Sequence, residues 1–323
     1  MNTTLRILFA TLIAISLQQF SRADSLLVSY SSATGGGIQK FSLTPNSSGT
    51  LFASDAGAIN HLSVANNTAY WATNTQIWSD SLADITAGSG KNALPSVPFG
   101  GVTITDIAVS PTNNSYYVGW DAPGFGWFIA QYPLSPASTF TVFSNDSNPV
   151  KGISIAGNNV YWIDGSNILS QNLDGSGRTT IQSFTLGPVT LNDLAVDPVT
   201  QSYLLSATTS GIPPLLARYP LVPQASGTLF AFGSDIPAVE ISGDRAFWID
   251  GSNIWSENIN GTDLTLQETL PSDLTLTDLA ISVDQPVNTV SEPATGGMFA
   301  TGLFALVLMG WYTRRTRTAG RPY

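Results

Sequence analysis

Val160–Ser170 reads VYWIDGSNILS, and Ala246–Ser256 repeats it as AFWIDGSNIWS. Ala69–Ser79 (AYWATNTQIWS) is a looser third copy, and the pairs Tyr70-Trp71, Tyr161-Trp162 and Phe247-Trp248 start 91 and 86 residues apart. Two other markers keep the same interval. Lys40–Pro45 (KFSLTP) recurs as Gln131–Pro136 (QYPLSP) and Arg218–Pro223 (RYPLVP). Asp106–Val109 (DIAV) recurs as Asp193–Val196 (DLAV) and Asp278–Ile281 (DLAI). Three unrelated markers sharing one period identify an internal threefold repeat.

Each period holds eight short runs rich in Val, Ile, Tyr, Trp or Thr and bounded by Gly, Asn, Asp or Pro, the signature of strands and turns. In the second period they fall at 105–110, 115–120, 126–132 and 139–144, then at 151–157, 160–164, 167–173 and 178–184. Two four-stranded units per period, each of roughly 44 residues, match propeller blades. The expected fold is therefore all-β, a six-bladed β-propeller made of three repeated blade pairs. The first unit begins at Ser25 with a run (LLVSY) equivalent to the second strand of the other odd units, so it lacks an innermost strand. Thr277–Val283 (TDLAISV) is a spare innermost strand, and placing it in the first blade closes the ring and removes an exposed edge.

Val160–Thr180, with Tyr-Trp-Ile-Asp and a later Leu-Asp-Gly-Ser, resembles the YWTD repeat of low-density-lipoprotein-receptor propellers, as does Ala246–Leu264. Those propellers also have six blades. The resemblance implies that the motif is architectural: its aromatics pack between blades and its Asp ties down a turn. It implies a fold and a binding habit rather than a reaction.

The two ends read as addresses. Residues 1–23 form a secretory signal peptide, with Arg6 in the n-region, the apolar run Ile7–Leu17, and Ser21-Arg22-Ala23 before a cut at Asp24. At the other end Ser291-Glu292-Pro293-Ala294-Thr295 precedes the apolar Gly296–Tyr312, then Arg314, Arg315 and Arg317. Motif, apolar span and basic terminus in that order resemble the PEP-CTERM sorting signal of Gram-negative bacteria. Ser291 stands where that family has its first Pro. The resemblance implies signal peptidase and an exosortase-type membrane protease as partners, with transient inner-membrane anchoring and then the cell surface or the extracellular space. The expected organisation is a leader at 1–23, the propeller at 24–286, a linker and Ser-Glu-Pro motif at 287–293, and a transmembrane sorting helix with its basic tail at 294–317.

Composition narrows the chemistry. The 323 residues include no Cys and one His, which excludes disulfides, thiolate metal sites and Cys nucleophiles. Arg6, Arg22, Arg314, Arg315, Arg317 and Arg321 are six of the 12 basic residues, so six remain between the ends, against 22 acidic residues in the whole chain. So acidic a body repels nucleic acid and anionic lipid and suits cations or neutral polymers such as extracellular polysaccharide.

Asp106, Asp193 and Asp278 each open an innermost strand and should meet near one mouth of the channel. There they could hold a hard cation such as Ca²⁺ by oxygen ligation, or bond backbone N–H groups of neighbouring blades. Asp164-Gly165-Ser166-Asn167, Asp250-Gly251-Ser252-Asn253 and Asp174-Gly175-Ser176-Gly177 read as tight turns, because they lack the further carboxylates of a calcium loop. His61 differs from its repeat mates Gly152 and Ala238, and Glu240 and Lys151 are likewise unmatched. Trp120 and Trp127 flank the Gly-rich Asp121–Gly126 (DAPGFG) and are expected to form an exposed patch for stacking on sugar rings. Trp78 and Trp255 recur at equivalent positions, as packing residues do. No catalytic set is evident. The function expected is a non-enzymatic binding or structural protein of the cell surface or matrix. The alternatives are a metal-assisted propeller hydrolase, lactonase or lyase acting on a sugar-like substrate, and a protein-binding scaffold.

Overall fold

The computed structural model describes residues 24–83, 90–95, 100–135, 139–185 and 189–282. The regular structure in them is entirely β, in six four-stranded antiparallel sheets. Blade 1 contains β1 (Ser25–Ser32), β2 (Gly35–Ser42) and β3 (Thr50–Asp55). Blade 2 contains β4 (His61–Ala65), β5 (Thr68–Ala72), β6 (Ile77–Ser81) and β7 (Asn92–Leu94). Blade 3 contains β8 (Thr103–Ser110), β9 (Ser115–Ala122), β10 (Gly126–Pro133) and β11 (Thr141–Asp146). Blade 4 contains β12 (Val150–Ala156), β13 (Asn159–Asp164), β14 (Asn167–Asn172) and β15 (Thr179–Ser183). Blade 5 contains β16 (Val189–Asp197), β17 (Ser202–Thr209), β18 (Ile212–Pro220) and β19 (Thr228–Phe232). Blade 6 contains β20 (Val239–Ser242), β21 (Arg245–Asp250), β22 (Asn253–Asn258) and β23 (Thr265–Thr269).

The last strand, β24 (Thr275–Ser282), joins blade 1 as its innermost member, with Leu27 opposite Ala280 and Ser25 opposite Ser282. It begins two residues before the segment read from the sequence, and it closes the ring as expected. The leader at 1–23, the sorting motif at 291–295 and the apolar tail at 294–317 lie outside the described residues. Among the described residues no helix is long and apolar enough to cross a membrane.

The repeated aromatics are buried because both faces of every blade are covered by neighbours. Trp71, Trp162 and Trp248 of the even blades are at most 2% exposed. Each meets, edge to face, a Phe from the outer strand of the preceding odd blade: Phe52–Trp71 at 6.3 Å, Phe143–Trp162 at 6.3 Å and Phe230–Trp248 at 5.9 Å. Such pairs add about 0.5–1.5 kcal/mol each beyond area burial. Asp164 Oδ1 accepts from the backbone N–H and side-chain amide of Asn148 (2.9 and 3.0 Å). Asp250 Oδ1 accepts from the N–H and hydroxyl of Ser234 (2.6 and 2.7 Å). Each thereby anchors the loop entering its own blade. Gly165 (φ 62°) and Gly251 (φ 61°) supply the left-handed backbone of the following two-residue hairpin.

A second set of ties runs from odd blades outward. Lys40 donates to the Leu82 carbonyl (2.9 Å), and Arg218 at the equivalent position donates to Ile259 (3.0 Å). Blade 3 has the shorter Gln131 there, which bonds Ser115 instead. The Tyr117 hydroxyl serves the matching carbonyl of Leu173 (3.3 Å). The same bond is thus kept with different chemistry.

Candidate functional site at the channel mouth

The inner strands of all six blades line a central channel. A cavity of about 270 Å³ occupies its middle and one of about 440 Å³ opens at the face where those strands begin. Asp106, Asp193 and Asp278 line both. Each follows a β-bulge: the ladder shifts register at Thr105 in β8, at Asn192 in β16 and at Thr277 in β24. The extra residue re-aims the Asp side chain along the ring toward the next blade.

The three carboxylates then do one job three times. Asp278 accepts from its own Leu279 N–H and from Leu62 of blade 2, both at 2.7 Å. Asp193 accepts from Leu194 and from Val239 of blade 6, both at 2.8 Å. Asp106 accepts from Ile107 at 2.7 Å and from Ile153 of blade 4. All three thus bond backbone amides of a neighbouring blade, one of the two uses expected from the sequence. Each carboxylate closes an odd-to-even blade junction.

Burial raises the Asp106 carboxyl to about 8, with the Asp193 charge adding to it. Burial likewise raises Asp193, and raises Asp278 well above the ordinary range. Glu240 is pushed up to about 8 by burial and then by the charges of Asp193 and Asp106. It stands where the other even blades have a Ser whose hydroxyl accepts a neighbour's N–H: Ser63 from Val109 (3.2 Å) and Ser154 from Val196 (3.1 Å).

The threefold pattern breaks at one side of the mouth. His61, the residue before the clamped amide of blade 2, places Nδ1 3.5 Å from Asp106 Oδ1. Its counterpart in blade 4 is Gly152 at φ 50°, where an added Cβ would lie 3.0 Å from Asp193 Oδ1. Burial holds the His61 imidazole down at about 4, so it is neutral at neutral pH. His61, Asp106 and Asp278 offer ligand atoms within 4.8 Å of one another. Asp193 is not in that group, so the trio read from the sequence is replaced at closest range by one in which His61 takes its place. Lys151 lines the same mouth and makes no ion pair among the described residues.

The expected aromatic patch is corrected. Trp120 is fully buried, packed with Tyr70 and Ile77 of blade 2. Trp127 is half-buried against the cluster shared with blade 4. Flanking an exposed turn does not expose these rings, because they project from the two faces of a blade and both faces are covered. At this turn the exposed aromatic is Phe125 at the tip itself, 84% accessible. Pairing of Asp121 with Thr103, near the start of β8, puts that tip on the face that carries the channel mouth. Trp78 is half-buried and lies under the Lys91 ammonium at 4.5 Å.

No protein-family model matches the chain, and no curated protein matches its sequence. Solved structures do resemble it. One is nidogen in a nidogen/laminin complex, with a TM-score of 0.67 at 16% identity over 81% of this chain and 99% of that one. Another is TolB from Acinetobacter baumannii, with a TM-score of 0.61 at 13% identity over 80% of this chain and 66% of that one. A putative TolB from Agrobacterium tumefaciens gives 0.54 at 12% identity, over 82% and 99%. At these identities the likeness is one of fold: a six-bladed, YWTD-like propeller.

Proposed function

We propose that this chain is an exported, non-enzymatic binding or structural propeller of the cell surface or extracellular matrix, delivered by signal peptidase and an exosortase-type protease. The observation carrying this reading is the use made of the channel carboxylates. All three repeated Asp accept backbone amides at blade junctions, an architectural use that supports a binding or structural role. The acidic body and the exposed Phe125 on the mouth face suit a neutral polymer such as extracellular polysaccharide, whose sugar rings stack on aromatic side chains. A protein-binding scaffold is favoured by the likeness to nidogen, seen in complex with laminin. A metal-assisted hydrolase, lactonase or lyase is favoured only by the His61–Asp106 contact.

Pull-down of the protein on immobilised polysaccharides separates these readings. Phe125→Ala is expected to weaken retention by about tenfold, since a buried Phe side chain is worth roughly 1.5–3 kcal/mol, with the melting temperature unchanged. Trp120→Ala should instead destabilise the fold by about 3–5 kcal/mol. Metal-dependent turnover of a sugar ester or lactone would overturn the proposal.

A further inference from the structure

We infer that the channel mouth holds one divalent transition-metal ion of the Zn²⁺ or Mn²⁺ type, bound by His61, Asp106 and Asp278. The inference goes beyond the binding role proposed above and stands or falls separately from it.

Three observations converge on this side of the mouth. The first is the ligand set, one imidazole and two carboxylates with their donor atoms within 4.8 Å of one another. A tetrahedral site with ~2.1 Å bonds has an edge of roughly 3.4 Å, inside that limit. The His61 Nδ1–Asp106 Oδ1 pair is already at 3.5 Å, and the imidazole is partly open to the mouth. The carboxylate oxygens already accept one amide N–H each, and a carboxylate oxygen retains a second lone pair for a metal.

The second observation is independent of the charges. The Thr105 hydroxyl, beside Asp106 in the same mouth, is buried and has no hydrogen-bond partner among the described residues. Its counterpart Thr277 is fully engaged, 2.8 Å from the Ser29 hydroxyl and donating to the Ile59 carbonyl at 2.6 Å. Blade 3 has Gly119 opposite Asp106, where blade 1 has Ser29 opposite Asp278. A Cβ on Gly119 would fall 2.5 Å from Thr105 Oγ1. A buried hydroxyl without a partner is costly unless something else approaches it. A water or ligand in the mouth cavity that Thr105 lines would satisfy it.

The third is the way the symmetry breaks. An architectural residue repeats, as the three Asp do, whereas His61 has Gly152 and Ala238 as its mates. It is the one His of the chain, and it sits against a clamp carboxylate. Nitrogen and oxygen ligation selects Zn²⁺ or Mn²⁺ over Ca²⁺, which prefers an all-oxygen shell. With three protein ligands, the ion keeps a coordination position open to the mouth.

The test uses the untagged full chain, stripped with chelator and titrated calorimetrically with Zn²⁺, Mn²⁺ and Ca²⁺. One Zn²⁺ or Mn²⁺ per chain, bound more tightly than Ca²⁺, is expected. His61→Ala copies the residue at position 238 and should leave the metal-free melting temperature unchanged. It should weaken Zn²⁺ binding by more than the ~10–100-fold that loss of a mere outer-shell partner costs. If that variant does not fold, pulsed electron-spin resonance of bound Mn²⁺ in the unaltered chain gives the second readout. The single His makes an imidazole nitrogen signal unambiguous. Absence of binding, binding unchanged in His61→Ala, Ca²⁺ bound at least as tightly, or no nitrogen signal would each overturn the inference. None of these outcomes bears on polymer retention through Phe125.

Discussion

Oδ2 of Asp193, on the inner strand of blade 5, accepts the backbone N–H of Val239 on the inner strand of blade 6 at 2.8 Å. The two residues are 46 apart in the chain, and the other carboxylate oxygen is held by Leu194. This carboxylate therefore seals a junction between two independently hairpinned sheets.

Asp193→Ala would leave both amides without their acceptor, at about 1–3 kcal/mol for each buried unsatisfied group. A loss of about 2–4 kcal/mol in urea unfolding is expected near pH 4. The penalty should shrink as pH rises. The Asp193 pKa in the fold is raised to about 7 from 3.8, so in the unaltered protein its contribution is full below pH 4 and is lost as pH climbs through about 7. The variant has no such loss. A destabilisation that grows with pH would contradict this assignment.

Glu240 carries the opposite expectation. Its pKa is raised to about 8, so an ionised Glu240 in the channel costs stability that appears as pH rises from about 4.5 through 8. Glu240→Ser restores the residue type of Ser63 and Ser154, whose hydroxyls accept a neighbouring inner-strand amide. The substitution should stabilise the fold at pH 9 by about 1–3 kcal/mol and do little at pH 5. Thermal melts at the two pH values decide it, and equal shifts at both would refute the electrostatic cause.

Closure by β24 makes a third prediction. Deleting Thr275 onward removes the strand paired with β1 and the Asp278 clamp to blade 2, leaving β1 as an open edge. Such an edge is a template for pairing with another chain. The unaltered protein should unfold in one sharp transition, and the truncated protein should unfold broadly and self-associate in sedimentation. A monomer that still melts cooperatively would show that the ring does not need its closing strand.

Much of this was legible in the residues. The YW pairs, the DLAV-type strands and the spare strand at the far end specify six blades and their closure, because strand, turn and hairpin are local and the period repeats them. The turn reading of Asp164 and Asp250 follows from the same locality, since Gly at the next position supplies φ > 0. The bulges at Thr105, Asn192 and Thr277 were not foreseen, although the extra residue before each Asp is present in all three copies.

What only the tertiary structure decided is which side chains meet across blades and which face water. Trp120 and Phe125 stand five positions apart around one turn, yet the first is buried and the second open, because neighbouring blades cover both faces of a sheet and leave only its tips. His61 and Asp106 come from different blades and meet only when the ring is formed. The sequence by itself determined the repeat, the blade count and the closing strand, since these rest on periodic local pairing. The asymmetric corner of the channel mouth depends on six sheets packing round one axis, and no local pattern encodes that distance.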